Sequence, residues 1–276
     1  MGKRHPRVLV FDSGVGGFSV AACIHRALPG AELLYLADNE AFPYGDQPEQ
    51  VVIDRCCALI DLSLQEFHCD VIVIACNTAS TVVLPHLRAR TEVPVVGVVP
   101  AIKPASECTV SRKVGVLATP ATIKRPYLDQ LIKDFAGDCE VTRVGNPNLV
   151  RWAEELVSGK EPEQSLVSDA MLPLHQRGVD TVVLGCTHYP LLLSWLQRSL
   201  PGVAFWVDSG EAIARRVTYL LQQAGRLSGA ETPAELPGAV VKAACFSGPA
   251  PAGIASFSAG LGMAVAEVRS HWPSLK

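Results

Sequence analysis

The feature that most restricts how this 276-residue sequence can fold is a regular alternation of two kinds of segment. Short runs rich in valine, isoleucine and leucine are separated by longer amphipathic stretches. The runs are continuously apolar, which is typical of parallel strands covered on both faces by helices. The alternation therefore predicts an α/β fold with mostly parallel sheets and right-handed crossovers. The predicted strands are Val8–Phe11, Leu33–Leu36, Val71–Ala75, Val93–Val98, Val114–Leu117, Val141–Val144, Val182–Leu184 and Val203–Val207, with a further strand at Ala239–Phe246. The clearest predicted helices are Val51–Phe67, Ala121–Phe135, Leu149–Val157, Gln164–His175 and Gly210–Ala224.

The second half of the sequence echoes the first. Three segments recur in the same order, each shifted by a little over one hundred residues. The general similarity of buried parallel strands explains any single pair, whereas three ordered pairs favour a duplicated α/β lobe. The pairs are Arg7–Gly14 with Lys113–Pro120, Asp70–Cys76 with Asp180–Cys186, and Glu92–Val98 with Gly202–Asp208. We therefore expect two pseudo-symmetric lobes, with residues 1–98 and 208–276 in the first and residues 99–207 in the second.

Composition and charge argue against several classes of protein. The 24 lysine and arginine residues and 27 aspartate and glutamate residues give a net charge of −3, without the basic excess of a nucleic-acid-binding protein. No apolar stretch is long enough to cross a bilayer, and the basic start lacks the apolar core of a secretory signal. The cysteines number nine, an odd count that indicates free thiols in a reducing cytoplasm rather than a disulfide framework.

Two of the cysteines occupy equivalent positions in the repeat. Cys76 and Cys186 each lie just past the carboxyl end of a predicted strand, and polar residues cluster at the same strand ends. Ligands bind at the carboxyl ends of the strands in open α/β sheets. We therefore expect the two lobes to face each other across a cleft that holds the active site, with one thiol on each side.

Four kinds of chemistry fit two such thiols. A zinc site would use Cys76, Cys186 and His188, but structural zinc ligands are usually paired at C-x2–4-C spacing, which the sequence lacks. A redox disulfide normally carries a C-x-x-C motif, which is also absent, and a cysteine hydrolase would leave the second thiol unused. The fourth possibility uses the symmetry: a proton is removed from one face of a carbon atom and returned to the other, with one thiol as base and its partner as acid.

The residues around the thiols indicate how their protonation is controlled. Asp12 ends the first predicted strand and is expected beside Cys76, while His188 lies two residues beyond Cys186. Either group can accept a proton from its thiol, and a helix that begins after each cysteine favours the thiolate. The glycine-rich segment Asp12–Gly17 has no lysine and fits no nucleotide fingerprint, so we favour a tight turn over a phosphate site.

Four blocks of the sequence also occur together in one known family. They are Asp12–Gly17, Tyr35–Asp38 with Pro43–Gly45, Ala75–Ser80, and Gly185–Pro190. As a set they resemble the signature blocks of glutamate racemase, the cofactor-independent enzyme that makes D-glutamate for bacterial peptidoglycan. The last two blocks alone would indicate only the wider aspartate/glutamate racemase superfamily. The resemblance extends in order and spacing from about Val8 to Asp208.

The resemblance implies roles for particular residues. Cys76 and Cys186 match the two catalytic thiols, each a base in one direction and an acid in the other. Asp12 matches the acid that assists the first thiol, and His188 matches the group that assists the second. The implied substrate contacts are Asp12, Ser13, Tyr44, Gly45, Asn77, Thr78, Thr187 and His188. These blocks contain neither arginine nor lysine, so the carboxylates of glutamate would be bound by neutral donors and helix N-termini.

Two parts of the sequence depart from the family pattern. Glu154 falls where the family has a glutamate that helps the second thiol, but Asn146 replaces the cysteine that usually begins this block, and Glu155 is a rival candidate. The tail between residues 230 and 262 is rich in alanine, glycine and proline where relatives carry a polar helix. We do not expect this tail to touch the candidate chemical groups.

The resemblance also implies the setting of the reaction. It implies an isomerase with glutamate as its small-molecule substrate, no cofactor and no metal, in a cytoplasmic homodimer that serves cell-wall biogenesis and cell shape. We expect the protein to bind neither nucleic acid nor a membrane. Two alternatives stay open at this point: a racemase or decarboxylase of another acidic substrate such as aspartate, and a non-enzymatic protein that only binds an acidic amino acid.

Overall fold

The computed structural model describes residues 4–227 and 238–273 of the chain. These residues form two compact units. Unit 1 comprises the described residues of Met1–Val98 and Gly210–Lys276, and unit 2 comprises Val99–Ser209. Part of the predicted tail, residues 230–237, lies outside the described residues.

Strands and helices alternate along almost the whole described chain. The strands are β1 Arg7–Asp12, β2 Glu32–Ala37, β3 Val71–Ile74, β4 Val95–Gly97, β5 Lys113–Ala118, β6 Glu140–Gly145, β7 Thr181–Leu184, β8 Phe205–Val207, β9 Val241–Phe246 and β10 Val268–Arg269. The α-helices are α1 Phe18–Ala27, α2 Glu49–Glu66, α3 Asn77–Arg88, α4 Ile102–Cys108, α5 Pro120–Ile123, α6 Pro126–Phe135, α7 Pro147–Glu155, α8 Gln164–Arg177, α9 Leu193–Ser199, α10 Gly210–Gln223 and α11 Ile254–Gly260. The predicted α/β class is confirmed.

The two units contain the same arrangement of four strands. The sheet of unit 1 has the order β10-β9-β2-β1-β3-β4, and the sheet of unit 2 has the order β6-β5-β7-β8, with all pairs parallel. The central pairs share a register as well, since Val8 is paired with Val71 and Val114 with Thr181. These residues are equivalent in the sequence repeat, so the duplication inferred from the sequence is confirmed.

The central strands form the core of each unit. All four residues of β3 and all four of β7 are buried, as the continuous apolar runs predict for strands covered on both faces. Burial of one such valine or isoleucine side chain contributes about 1.5–3 kcal/mol. The cores therefore hold the carboxyl ends of β3 and β7, and the residues that follow them, in fixed positions.

One predicted helix is two helices in the structure. The single helix expected over Ala121–Phe135 is divided into α5 and α6 between Ile123 and Pro126. Pro126 has no backbone N–H to continue the hydrogen-bonding ladder, and it disfavours helical geometry in the residue before it. A proline instead fits the first turn of α6, where the N–H would have no intrahelical acceptor. In the part of the chain that the structure describes, no helix combines the length and the apolar character needed to span a membrane.

Candidate active site

Cys76 lies at the junction between the core of unit 1 and a helix. It follows the buried strand β3 and is the N-cap residue of α3, whose first turn is tied to it by a hydrogen bond from the Ser80 N–H to the Cys76 carbonyl, at 2.9 Å. The side chain is buried, with 6% of the residue exposed. The N-terminus of a twelve-residue helix carries a partial positive charge, which favours the thiolate form of a cysteine placed there.

The segment after β1 is held in a tight turn beside this strand. Asp12 is fully buried, and its Oδ1 accepts a hydrogen bond from the Gly14 N–H at 3.0 Å. The Tyr35 hydroxyl donates to the Gly14 carbonyl at 2.7 Å. A Cβ atom on Gly17 would lie 2.8 Å from the Cβ of Asp12, so only glycine allows this close approach. The turn places the Ser13 hydroxyl 3.8 Å from the Cys76 sulfur.

Tyr44 and Gly45 belong to a short 3-10 turn, Tyr44–Asp46, in the same unit. The Tyr44 ring is buried, and its hydroxyl donates to Oδ2 of Asp38 at 2.6 Å. Burial and the neighbouring Cys56 and Asp38 raise the pKa of the Tyr44 phenol far above its ordinary value, so the hydroxyl remains protonated and donates this bond. Backbone N–H groups in the first residues of such a turn have no acceptor inside it, which leaves them available to a ligand.

Cys186 occupies the equivalent position in unit 2. Gly185 follows β7 and donates its N–H to the Leu117 carbonyl at 2.7 Å, so the end of β7 stays paired with β5. A Cβ on Gly185 would lie 3.1 Å from that same carbonyl oxygen, which explains the glycine. The expected helix does not begin directly after this thiol. A 3-10 turn, Tyr189–Leu192, comes first and leads into the short helix α9.

A hydrogen-bonded chain of three side chains surrounds the second thiol. The Cys186 sulfur lies 3.6 Å from Nδ1 of His188, and Nε2 of the same imidazole lies 2.6 Å from Oε1 of Glu154 on α7. Because the Nε2–H donates to the carboxylate of Glu154, Nδ1 of the neutral ring faces the thiol as a proton acceptor. The order thiol, imidazole, carboxylate is thus suited to remove the proton from Cys186.

The charges in this chain favour a protonated imidazole. Burial by itself lowers the pKa of His188, but the hydrogen bonds to Cys186 and Glu154 outweigh it and raise the pKa well above its ordinary value of 6.5. Only 2% of the His188 side chain is exposed. The second half-site, formed in unit 2 by Cys186, His188 and Glu154, therefore favours the imidazolium form of His188.

The structure separates the two glutamates that the sequence left as rivals. Glu154 points to His188, whereas Glu155 forms an ion pair with Lys160 at 2.8 Å and has 39% of its side chain exposed. The departure at Asn146 has a local structural role, because its side chain caps α7 by accepting from the Asn148 N–H at 2.8 Å.

Comparisons with known proteins show the family to which the chain belongs. Residues 18–217 match the family model described as Asp/Glu/Hydantoin racemase. The chain is 52% identical over 218 residues to the glutamate racemase of Vibrio campbellii, across 79% of this chain and 81% of that protein. The chain belongs to the glutamate racemase family. The family resemblance predicted from the four sequence blocks is therefore confirmed, and the chain is an amino-acid racemase.

Solved structures of the family share the fold. The crystal structure of Escherichia coli glutamate racemase, in complex with L-glutamate and an activator, matches with a TM-score of 0.85 and 39% identity over 96% of this chain and 98% of that one. A glutamate racemase isoform from Bacillus anthracis matches with a TM-score of 0.81 and 29% identity over 99% and 100% of the two chains. The predicted architecture of two α/β lobes is thus that of known glutamate racemases.

The remaining predicted contact residues are small polar groups withdrawn from water at the strand ends of this racemase. They are Ser13, Asn77, Thr78 and Thr187, each with at most 6% of its surface exposed. Asn77 Oδ1 is buried without a hydrogen-bond donor among the described residues, and the hydroxyl of Tyr189, next to the second half-site, is also unpartnered there. A buried polar atom left without a partner costs free energy, so these two atoms are suited to meet a ligand.

A second polar cluster in unit 1 of the racemase was not predicted from the sequence. It consists of Asp38, Arg55 and Ser247 together with the Tyr44 hydroxyl. Asp38 stood in one of the family blocks without a role. The tail, which was expected to stay away from the candidate chemical groups, reaches this cluster through Ser247. No local signal marks Arg55, because its neighbours three and four positions away on α2 are apolar and none of them indicates a carboxylate partner from another segment. Within the described ranges, no group of three His, Cys, Asp or Glu side chains is arranged to hold a metal ion.

Proposed function

We propose that this racemase interconverts L- and D-glutamate by two-base proton transfer, with Cys76 and Cys186 as the two bases. The observation that carries the proposal is that a buried thiol lies two residues beyond the end of the equivalent central strand in each unit, Cys76 after β3 and Cys186 after β7. One thiolate removes the α-proton, the Cα–H bond breaks, and the other thiol donates its proton to the opposite face of the carbanion. The first sulfur then carries the proton and the second is the thiolate, so both atoms and charge balance.

The chain of Cys186, His188 and Glu154 supports the role of the second thiol as a base. A raised pKa of His188 favours transfer of the thiol proton to the imidazole at neutral pH. Glu154 fixes the ring and stabilises the imidazolium through the 2.6 Å hydrogen bond. A thiolate with a pKa matched to the working pH is an effective base for a carbon acid.

The first thiol is controlled by different neighbours. Cys76 has the N-terminus of α3, the Ser13 hydroxyl at 3.8 Å and the fully buried Asp12 on the adjoining strand. The helix favours the thiolate, whereas a carboxylate nearby favours the thiol. We propose that this balance allows Cys76 to begin the reaction protonated while Cys186 is the thiolate, as a two-base mechanism requires.

We propose that the small buried polar groups bind the substrate. Backbone N–H groups of the Tyr44–Gly45 turn and the hydroxyls of Ser13, Thr78 and Thr187 are neutral donors suited to carboxylates. Asn77 Oδ1, which has no donor among the described residues, would accept from the substrate ammonium. The E. coli relative was crystallised with L-glutamate, which supports a substrate with two carboxylates and one ammonium.

We further propose that the reaction uses no cofactor, takes place in the cytoplasm and supplies D-glutamate for peptidoglycan, and that the chain acts as a homodimer. These proposals follow from membership of the family. Thiol acids and bases acting on both faces supply the proton transfers that the reaction needs, which supports a mechanism of protein side chains alone.

The proposal is tested by proton NMR of L-glutamate with purified protein in D2O, beside a sample of L-aspartate. We expect the α-proton signal of glutamate to disappear and D-glutamate to be found by chiral analysis, with aspartate unchanged. Exchange of aspartate alone would keep the two-base chemistry and assign it to another substrate. Exchange of neither amino acid by folded, reduced protein would contradict the proposed function.

A further inference from the structure

We propose that Asp38 is a positioning residue for the racemisation, and that with Arg55 and Ser247 it holds the Tyr44–Gly45 turn in its substrate-binding geometry. The inference rests on the proposed function, since it concerns a turn assigned there to substrate binding. It adds three residues to which neither the sequence analysis nor the family resemblance gave a role.

The Asp38 carboxylate is the centre of a buried hydrogen-bond network. It is fully buried and accepts hydrogen bonds from three side chains. Oδ2 accepts from the Tyr44 hydroxyl at 2.6 Å and from Nε of Arg55 at 2.7 Å. Oδ1 accepts from Nη2 of Arg55 at 2.6 Å and from the Ser247 hydroxyl at 2.6 Å. Every donor comes from a different segment: the turn, helix α2 and the end of strand β9.

The backbone of Asp38 connects this network to the first half-site, the residues Asp12 and Ser13 beside Cys76. Its N–H donates to the carbonyl of Asp12 at 2.9 Å, so the residue is fixed to the end of β1. Its side chain at the same time fixes the phenol of Tyr44. Asp38 is thus the direct link between the segment that carries Asp12 and the turn that carries Gly45.

A network of this kind contributes specificity of geometry rather than stability. A buried ion pair loses the hydration of both charges, and replacement by apolar side chains is often neutral for stability. Arg55 remains one-third exposed, so water still reaches the outer side of the pair. An apolar replacement would not fix the orientation of the Tyr44 ring. The orientation of that ring in turn sets the direction of the N–H groups of the turn.

The phenol therefore acts through Asp38 rather than on the substrate. The Tyr44 hydroxyl has one proton, and that proton is donated to Asp38. Removal of this hydroxyl and removal of the Asp38 charge should damage the same contact, so their effects should not add.

The experiment compares Asp38→Asn, Ser247→Ala, Tyr44→Phe and the double variant Asp38→Asn/Tyr44→Phe. The control is Asp70→Asn, which changes another largely buried carboxylate paired with arginines, at the amino end of β3. The readouts are kcat and KM for both glutamate enantiomers, with the fraction of folded protein measured by circular dichroism. The turn contacts substrate before and during the reaction, so its displacement should weaken binding and raise KM with little change in kcat.

We expect Asp38→Asn, which removes the charge shared by all the hydrogen bonds of the network, to raise KM by about 10- to 100-fold. Ser247→Ala removes only one of the donors to the carboxylate and should raise KM by about 2- to 10-fold. kcat should stay within about threefold, and the double variant should match Asp38→Asn alone. Asp70→Asn should leave KM unchanged. A merely structural Asp38 would lower the folded fraction without moving KM, and this result would overturn the inference.

Ser247→Ala removes only one hydroxyl group. If Asp38→Asn does not fold, this variant tests the positioning role of the network by itself. An unchanged KM in Ser247→Ala would then overturn the inference. A wild-type protein that racemises glutamate while the variants keep its KM contradicts only the role of Asp38. A wild-type protein that exchanges no glutamate overturns the proposed function, and this inference with it.

Discussion

Replacement of Glu154 by glutamine isolates the electrostatic part of the second half-site. The change keeps the size of the side chain and an amide oxygen that can still accept from Nε2 of His188. It removes only the negative charge that stabilises the imidazolium. We expect the variant to fold normally, to bind glutamate, and to racemise it more slowly because His188 becomes a weaker acceptor for the Cys186 proton.

The magnitude follows from the geometry of the contact. The Nε2–Oε1 distance is 2.6 Å, and the exposed fractions of the two side chains are 2% and 19%. A hydrogen bond between charged groups is worth about 1.5–3 kcal/mol, against about 0.5–1.5 kcal/mol for a neutral one. The difference of about 1–2 kcal/mol corresponds to a loss of roughly 5- to 30-fold in kcat.

The assay has a matched control in the adjacent residue. Glu155→Gln makes the same substitution one position along the same helix, at a side chain that is partly exposed and paired with Lys160. It should leave kcat within about twofold, because exposed ion pairs contribute little. NMR of protein labelled with 15N-histidine follows the imidazole directly: the pKa of His188 should be high in wild-type protein and in Glu155→Gln, and lower in Glu154→Gln.

Stability should respond with a definite sign. The pKa of His188 is raised in the folded state. Its contribution to the free energy of unfolding is therefore fully present below pH 6.5, the ordinary pKa of histidine, and is lost as pH rises through the pKa of the folded state. The difference in unfolding free energy between wild-type protein and Glu154→Gln should therefore narrow as pH increases above 6.5. The reasoning is refuted if Glu154→Gln keeps wild-type kcat and the wild-type titration of His188, or if Glu155→Gln is the slower variant.

Two further predictions concern Asp180, which is partly buried, and Asn77, which is buried. Asp180 accepts hydrogen bonds from Thr109 and from two backbone N–H groups, which lower its pKa below the ordinary 3.8 although burial opposes this. Asp180→Asn should cost about 1 kcal/mol of stability above pH 4, towards the low end for a charged hydrogen bond because the carboxylate is partly solvated. Urea unfolding should show this loss of stability disappear as pH falls through the lowered pKa of Asp180. The control Asp169→Asn, at an exposed position, should not change stability at any pH. A loss of stability in Asp180→Asn that persists at low pH would contradict the role of the ionised carboxylate. Asn77→Ala should raise KM for glutamate by about tenfold, from loss of one hydrogen bond to a charged ammonium. Steady-state kinetics checks this, and an unchanged KM would show that Asn77 Oδ1 does not meet the substrate.

The sequence was sufficient to predict the sheets because their signal is local and strong. Runs such as Val71–Ala75 are continuously apolar, and the structure has them as strands buried on both faces. The repeat also predicted a duplicated lobe, and in the structure Val71 and Thr181, which follow Asp70 and Asp180, pair with equivalent residues of β1 and β5. The helix boundaries at Pro126 and after Cys186 were wrong because each depends on one residue or on packing rather than on a periodic pattern.

The candidate site was partly predictable for a different reason. Cys76, Cys186 and His188 lie in short blocks next to strand ends, where sequence position already fixes their location. Glu154 and Glu155 could not be separated by sequence, because one position along a helix rotates a side chain by roughly 100° and only the fold shows which one meets His188. Asp38, Arg55 and Ser247 come together from three distant segments, and no spacing rule brings them together.

The central claim is that the two thiols act on opposite faces of the same α-carbon. Racemisation rates cannot separate them, because the equilibrium constant of a racemisation is one and kcat/KM must be equal in both directions. Exchange of the α-proton in D2O can separate the roles of the two thiols, if L- and D-glutamate are followed separately with Cys76→Ala and with Cys186→Ala. We predict that each variant loses racemisation by at least about a hundredfold, as for removal of a general acid or base. Each variant should still exchange the α-proton of one enantiomer of glutamate for deuterium without inverting it. The enantiomer that Cys76→Ala exchanges should be the opposite of the one that Cys186→Ala exchanges. Full racemisation by either variant, or exchange of the same enantiomer by both, would contradict the account.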